Sequence, residues 1–367
     1  MSTYDMGILT FWDVPNYGTF AQAYALQRVL DKRCAGRDIK QIAYLDEKHY
    51  NSYYKKEIGH NFFKPVFYKN LVDVLNPNSN YNHRKQTFPG YYLSIPHTER
   101  MSSADFASTT FNTVVFGSDI VWDYSFEIFN HDPKLFGVGI QADKKVAYAA
   151  TFGTIKRGSE YPQYVVDGVR SLDFITVRDK NSADIVEDIT GTRPEVVLDP
   201  TWLWDFTTDE NIVKPQYEDY LIVYGQDFSD EFIQQICSYA KDNSLQIICL
   251  DCNDDQYDWC DVLIHQSDLT PFEWIGLFRY SSAIATSTFH GLTFSLIFNK
   301  KMAFCASDFI LAKADNFLKR LGMYELLSDN TRDARDMLNY EWDYTFINSY
   351  INAERCLLYT SDAADEL

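Results

Sequence analysis

The sequence predicts an α/β protein built as two doubly wound lobes with a cleft between them. Three observations point there. The chain has 367 residues, more than one core usually organises. Short runs rich in β-formers alternate with amphipathic stretches, the pattern of βα units around a largely parallel sheet. The alternation also occurs twice, with Asp199-Pro200-Thr201-Trp202 closing the first set. Lobes are therefore expected over residues 1–205 and 215–310, with 311–367 as helices that pack back on the first lobe.

In the first set, MGILTFW (Met6 to Trp12) reads as a buried strand and DVPNYG as its turn. Thr19 to Leu30 follows as a helix with Phe20, Ala23, Tyr24 and Leu30 on one face. IKQIAYL is the second strand, and 46–110 then turns aromatic and polar, an insertion or helical excursion. Regularity returns with TVVFGSD, KVAYAAT, DFITVRD and EVVLDP as strands, and a helix over Asn181 to Thr190 closed by Gly191. The second set offers DYLIVYG, LQIICLD, DVLI, SAIATS and KMAFC as strands, with helices near Asp230 to Lys241 and over Phe289 to Phe298. Thr270-Pro271-Phe272-Glu273 is a capping box with proline in the first helical position, so a helix starts at Pro271 and runs toward Tyr280.

Composition bounds the function. Hydrophobic residues at 46% and aromatics at 16% supply sizeable cores and argue against disorder. The balance of 33 basic against 52 acidic residues, a formal charge of -19, repels nucleic acid and anionic headgroups, so an anionic substrate needs locally placed cations or helix N-termini. No continuous apolar run reaches the ~18 residues of a membrane span, and MSTYDMGILTFW shows no basic leader ahead of a long apolar segment. A cytoplasmic protein, or one peripheral at the inner face of the membrane, is expected. Seven cysteines fit a reduced compartment better than a disulfide framework. Cys249 and Cys252 form a C-x-x-C with Cys260 and His265 beyond it, but no helix pattern follows and no second pair accompanies it. These read as packed strand-end cysteines; no metal and no cofactor are expected.

In open α/β sheets ligands collect outside the carboxyl ends of the strands, where helix N-termini point. Five stretches directly follow strands: Asn16-Tyr17-Gly18, Gly117-Ser118-Asp119, Thr151-Phe152-Gly153, Arg178-Asp179 and Ser287-Thr288-Phe289-His290-Gly291. His290 opens an apolar helix and could act as acid or base near neutral pH, the alternative being a histidine that satisfies local backbone groups. Asp119 ends a hydrophobic strand, facing a ligand or capping the next element. Arg178 could bind a carboxylate or phosphate through two parallel hydrogen bonds, or pair with Asp179 or Asp199. No G-x-G-x-x-G or Walker motif occurs.

GILTFWDVPNYGTFAQAYALQ, VVFGSDIVWD, KVAYAATFG, TVRDKNSADIVEDITG, VVLDPTWLW and STFHGLTFSLIFNK, in this order, resemble the polysaccharide pyruvyl transferase family over roughly residues 6 to 305. The resemblance implies two Rossmann-like lobes of the GT-B kind. It also implies transfer of a pyruvyl group from phosphoenolpyruvate to two hydroxyls of a saccharide acceptor, lipid-linked or nucleotide-linked, with release of phosphate. Carried over, His290 is the general acid. Arg178 grips the donor, with Ser287, Thr288 and Gly291 near its phosphate. Asp119 orients or deprotonates a sugar hydroxyl, and Asn16, Tyr17, Gly18 and Ser118 line the acceptor side.

One position departs from the pattern. Many members carry an arginine two residues before the histidine, where this chain has Thr288; Lys300 and Arg28 are the cations considered as substitutes. Two competing readings follow: a GT-B-type glycosyltransferase using a nucleotide sugar, and a saccharide-binding relative without catalysis.

Overall fold

The computed structural model describes residues 2–55, 65–77, 79–251, 257–265, 268–305, 307–329 and 332–360. The chain divides into two compact units, Met1–Trp204 with Arg355–Leu367, and Asp205–Glu354. Residues 311–354 thus fold with the second unit. From Arg355 on the chain counts with the first, where the Arg355 guanidinium donates to the carbonyls of Trp202 at 2.8 Å and Trp204 at 3.0 Å.

The first unit begins with β1 (Ser2–Leu9), α1 (Tyr17–Arg33) and β2 (Ile39–Gln41). Three helices, α2 (Glu47–Tyr54), α3 (Pro65–Leu75) and α4 (Asn80–Tyr91), then occupy the aromatic and polar stretch before β3 (Thr109–Phe116). β4 (Gln141–Ala150), α5 (Gln163–Arg170), β5 (Phe174–Val177), α6 (Lys180–Thr190) and the two-residue β6 (Glu195–Val196) complete it. The strands pair in parallel in the order β2-β1-β3-β4-β5-β6.

Side chains alternate along these strands, and both faces are apolar, as a parallel sheet covered on both sides requires. Met6, Ile8, Val115, Val146 and Tyr148 join one core with Leu26, Val29 and Leu30 of α1. Leu9, Val114, Phe116 and Ala147 join the other with Trp122, Phe136 and Phe152.

α1 departs from the one-sided helix read in the sequence, being buried at nearly every position from Tyr17 to Leu30. Its polar positions are inside because they are bonded there. Gln27 Nε2 donates to the Ile39 carbonyl at 3.0 Å and to Asp31 at 3.0 Å. α6 ends as expected, with Gly191 in the left-handed region at φ 77 and Asp179 capping its start.

The second unit contains β7 (Tyr220–Tyr224), α7 (Asp230–Asp242), β8 (Gln246–Leu250), β9 (Val262–Ile264), α8 (Pro271–Tyr280), β10 (Ala283–Thr286), α9 (Phe289–Ile297) and β11 (Lys301–Phe304). Four helices follow: α10 (Asp308–Arg320), α11 (Tyr324–Leu327), α12 (Ala334–Asn339) and α13 (Tyr344–Thr360). Its parallel sheet runs β11-β10-β7-β8-β9. The capping box at Thr270 forms with both of its hydrogen bonds. Trp274 and Phe278 of α8 pack edge-on at 4.7 Å, and Phe294 of α9 joins them. Cys249, buried on β8, is disulfide-bonded rather than a packed thiol, while Cys252 lies outside the described residues.

Gly7 sits in β1 under Ile42 and Phe111, and a Cβ there would lie 2.8 Å from a side-chain carbon of each. Gly7→Ala is expected to lower unfolding stability by ~1–3 kcal/mol through overpacking, measured by urea denaturation followed by tryptophan fluorescence.

Candidate functional site

In each sheet the strand order reverses once. The first reversal lies between β1 and β3, whose connections lead away in opposite directions, and the second between β7 and β10. Such reversals leave a crevice outside the carboxyl ends of the two strands. Asn16, Tyr17, Gly18, Ser118 and Asp119 follow β1 or β3. Ser287, Thr288, His290 and Gly291 follow β10.

At the first edge, the loops are held by a buried polar network. Gln22 of α1 donates to Thr10 Oγ1 at 3.1 Å and accepts from the Ser118 hydroxyl at 2.9 Å; Thr10 in turn donates to the Ser118 carbonyl at 2.9 Å. Ser118 is 0% exposed, so its hydroxyl ties β3 to α1 rather than lining an open acceptor surface. Tyr17 is likewise turned inward, 1% exposed, with its ring 5.4 Å from that of Phe88. Asn16 stays exposed and caps α1, its Oδ1 accepting from the Gly18 and Thr19 amides.

Asp119 follows at φ 77, a left-handed conformation that aspartate tolerates better than most residues. Its carbonyl accepts from the Thr151 amide at 3.1 Å, and its Oδ1 from the Ile120 amide at 2.8 Å. The Arg178 guanidinium lies between two carboxylates, 2.7 Å from Asp199 Oδ2 and 3.7 Å from Asp119 Oδ1. The Arg178 side chain is 4% exposed and that of Asp119 13%. Burial alone would lower the Arg178 pKa, but Asp199 and then Asp119 outweigh it and raise the value. An ion pair with Asp179 or Asp199 is the alternative set beside donor binding for this arginine, and the pair with Asp199 forms.

Thr151-Phe152-Gly153 holds a carboxylate of the protein itself. Asp123 Oδ2 accepts from the Thr154 amide at 2.6 Å, and a Cβ on Gly153 would fall 2.3 Å from that oxygen. This loop is filled by its own chain.

At the second edge, Ser287 Oγ accepts from the Gln226 amide and donates to the Gln226 carbonyl, both at 2.9 Å, and so clips the end of β7 to the end of β10. Thr288 is the N-cap of α9, its hydroxyl accepting from the Gly291 amide at 2.9 Å. Gly291 has to be glycine, because a Cβ there would meet Thr286 Oγ1 at 2.0 Å. Its amide serves the cap. His290 is half-buried in the first turn of α9, edge-on to Phe289 with ring centroids 5.3 Å apart.

Lys300, one of the two cations considered as a replacement for the missing arginine, does not reach this edge. Lys300 donates to the Ser281 carbonyl at 2.7 Å, which precedes β10 and so lies at the amino edge of the second sheet. Burial lowers the Lys300 pKa to about 8. Arg28 lies in the C-terminal half of α1 in the first unit, with its guanidinium 5.1 Å over the Trp204 ring.

Two acids escaped the sequence reading although they carry the signal that singled out Asp119, a carboxylate just past an apolar strand. Asp13 follows β1, and Asp251 directly follows β8. Asp251 is pushed up from 3.8 to about 7 by burial, only partly offset by its hydrogen bond with Tyr224.

The fold and its two polar edges define a Rossmann-like α/β protein of two units. The chain belongs to the polysaccharide pyruvyl transferase family, whose profile matches residues 16–308, and the family is one of transferases acting on polysaccharides. Among curated proteins none matches at a significant level. Solved structures resemble it distantly. UDP-GlcNAc 2-epimerase from Methanocaldococcus jannaschii is 12% identical over 98% of this chain and 100% of its own, with a TM-score of 0.47. The heptosyltransferase WaaC of E. coli, solved with ADP-2-deoxy-2-fluoro heptose, is 8% identical over 82% of this chain and 88% of its own, with a TM-score of 0.38. TM-scores this low carry no inference about this chain. Among the described residues no helix is long and apolar enough to cross a membrane.

The raised Asp251 value means that the native state holds this proton more tightly than the unfolded chain, so stability falls as pH rises between about 4 and about 7. Asp251→Asn removes that loss. Relative to the parent, the variant is expected to gain ~1–3 kcal/mol of unfolding stability between pH 5 and pH 8, as urea melts at the two pH values would show.

Proposed function

We propose that this protein transfers a pyruvyl group from phosphoenolpyruvate to two hydroxyls of a saccharide precursor, forming a cyclic ketal and releasing phosphate, in the biosynthesis of a cell-surface or exported polysaccharide. One observation carries the reading. His290 and Asp119, singled out in separate halves of the sequence, each fall at the strand-order reversal of their own sheet. The family supports it.

In this scheme the donor binds at the second edge, where the positive end of α9 favours its phosphate and carboxylate. His290, as imidazolium, gives a proton to the methylene carbon, which becomes the methyl group, and the adjacent carbon becomes oxocarbenium-like. A sugar hydroxyl attacks that carbon and its proton passes to Asp119. The bond to the phosphate oxygen breaks, the second hydroxyl closes the ring, and the remaining proton leaves with phosphate. Asp199 and Arg178 keep the Asp119 carboxylate in place, and Asn16 and Gly18 shape the acceptor side. Thr288, engaged as a helix cap, leaves the anion to the helix terminus and backbone. That same substitution favours a second reading, a relative that binds saccharide without turnover.

Phosphoenolpyruvate should raise the thermal midpoint, by up to about 2.7 kcal/mol of stabilisation at a hundredfold excess over its dissociation constant, whereas UDP and GDP should not. The reverse pattern would identify a glycosyltransferase. Phosphate release should require both phosphoenolpyruvate and a 4-nitrophenyl glycoside or extracted acceptor. His290→Ala is expected to cut it at least ~100-fold with little change in the thermal midpoint; undiminished release in that variant would refute the assignment of the acid.

A further inference from the structure

α2 and the segment from Pro89 to Arg100 border a cavity of about 280 Å³ beyond the carboxyl end of β1. Trp12, Tyr50, Tyr54 and Tyr92 line it, together with Asp13 and Arg100. Two tyrosines of the wall are fixed by their hydroxyls: Tyr54 donates to the Asp13 carbonyl at 3.0 Å and Tyr92 to that of Val14. The Trp12 indole donates to the Ile42 carbonyl at 3.1 Å and stacks on His97 with centroids 5.3 Å apart. Arg100 lies 4.9 Å over the Tyr50 ring and pairs with Asp13 Oδ2 at 2.7 Å. Asp13 is 7% exposed, and among the described residues its Oδ1 has no hydrogen-bond partner. Burial raises its pKa against the pull of Arg100. An unsatisfied buried acceptor is destabilising, and a ligand bringing a hydroxyl donor would remove that cost.

We propose that this cavity is a binding subsite for a neutral pyranose of the saccharide chain, with Asp13 accepting from its hydroxyls and the aromatic wall packing on its C–H face. Charge decides against an anion, since Arg100 is already neutralised by Asp13 and Glu99 adds a further negative charge to the lining. The aromatic wall and the open acceptor of Asp13 match a ring with one apolar face and a hydroxyl rim. A second cavity of about 560 Å³ shares Tyr50 and Arg100 with the first, which leaves space beside the subsite for a further sugar unit. The assignment rests on the reading that the first unit takes the saccharide.

The test is a printed array of neutral oligosaccharides probed with the labelled full-length protein, with uridine and inorganic phosphate as competitors. Retention of at least one neutral oligosaccharide, uncompeted by either, is expected. Tyr50→Ala and Asp13→Asn should each weaken it tenfold or more while near-ultraviolet circular dichroism shows the fold intact. His290→Ala should bind as the parent does. Should a variant misfold, titration of the parent with the retained sugar, read by tryptophan fluorescence, replaces it, and a change that saturates is expected. Failure to retain any neutral sugar, competition by uridine, or unchanged retention in both variants would overturn the subsite. Sugar binding without phosphate release from phosphoenolpyruvate would instead overturn the catalytic reading and leave the subsite standing.

Discussion

Where two neighbouring parallel strands send their connections in opposite directions, a crevice is left outside their carboxyl ends, and loops from both strands meet there. In this chain that condition holds between β1 and β3 and again between β7 and β10. Every residue given a catalytic role depends on it. Asp119 stands beside α1 only because β1 and β3 are hydrogen-bonded neighbours, with Leu9 opposite Phe116. His290 opens α9 beside the end of β7 only because β10 pairs with β7, Thr286 opposite Tyr224.

Both edges use the same economy of polar groups. Ser118, Gln22 and Thr10 saturate one another inside the first edge, and Ser287 and Gln226 do so at the second. These bonds hold the loops at both edges in place. Arg178 belongs to this supporting set through Asp199. A buried guanidinium between two carboxylates contributes orientation more than stability, because its desolvation offsets much of the attraction.

The helical stretch after β2 supplies what a bare Rossmann-like unit lacks, an aromatic wall over the end of β1. Tyr50, Tyr54 and Tyr92 come from separate helical turns and converge on Trp12 and Asp13. Their convergence left no mark in the sequence beyond a high density of aromatics, since contacts between residues ~40–80 apart follow no period.

Local chemistry determined the strands, the capping box at Thr270, the glycine stop at Gly191 and the placement of His290 and Asp119 just past strands, because alternation, capping and turn propensity act over a few residues. Which of those strand-end residues face outward was decided only by packing. Ser118, Tyr17 and Arg178 are built from the same polar types as Asn16 and Asp119, yet burial and long-range partners such as Gln22, Phe88 and Asp199 turned the first three inward. Pairing across roughly 20 to 100 residues is a property of the folded chain, and no short stretch of sequence encodes it.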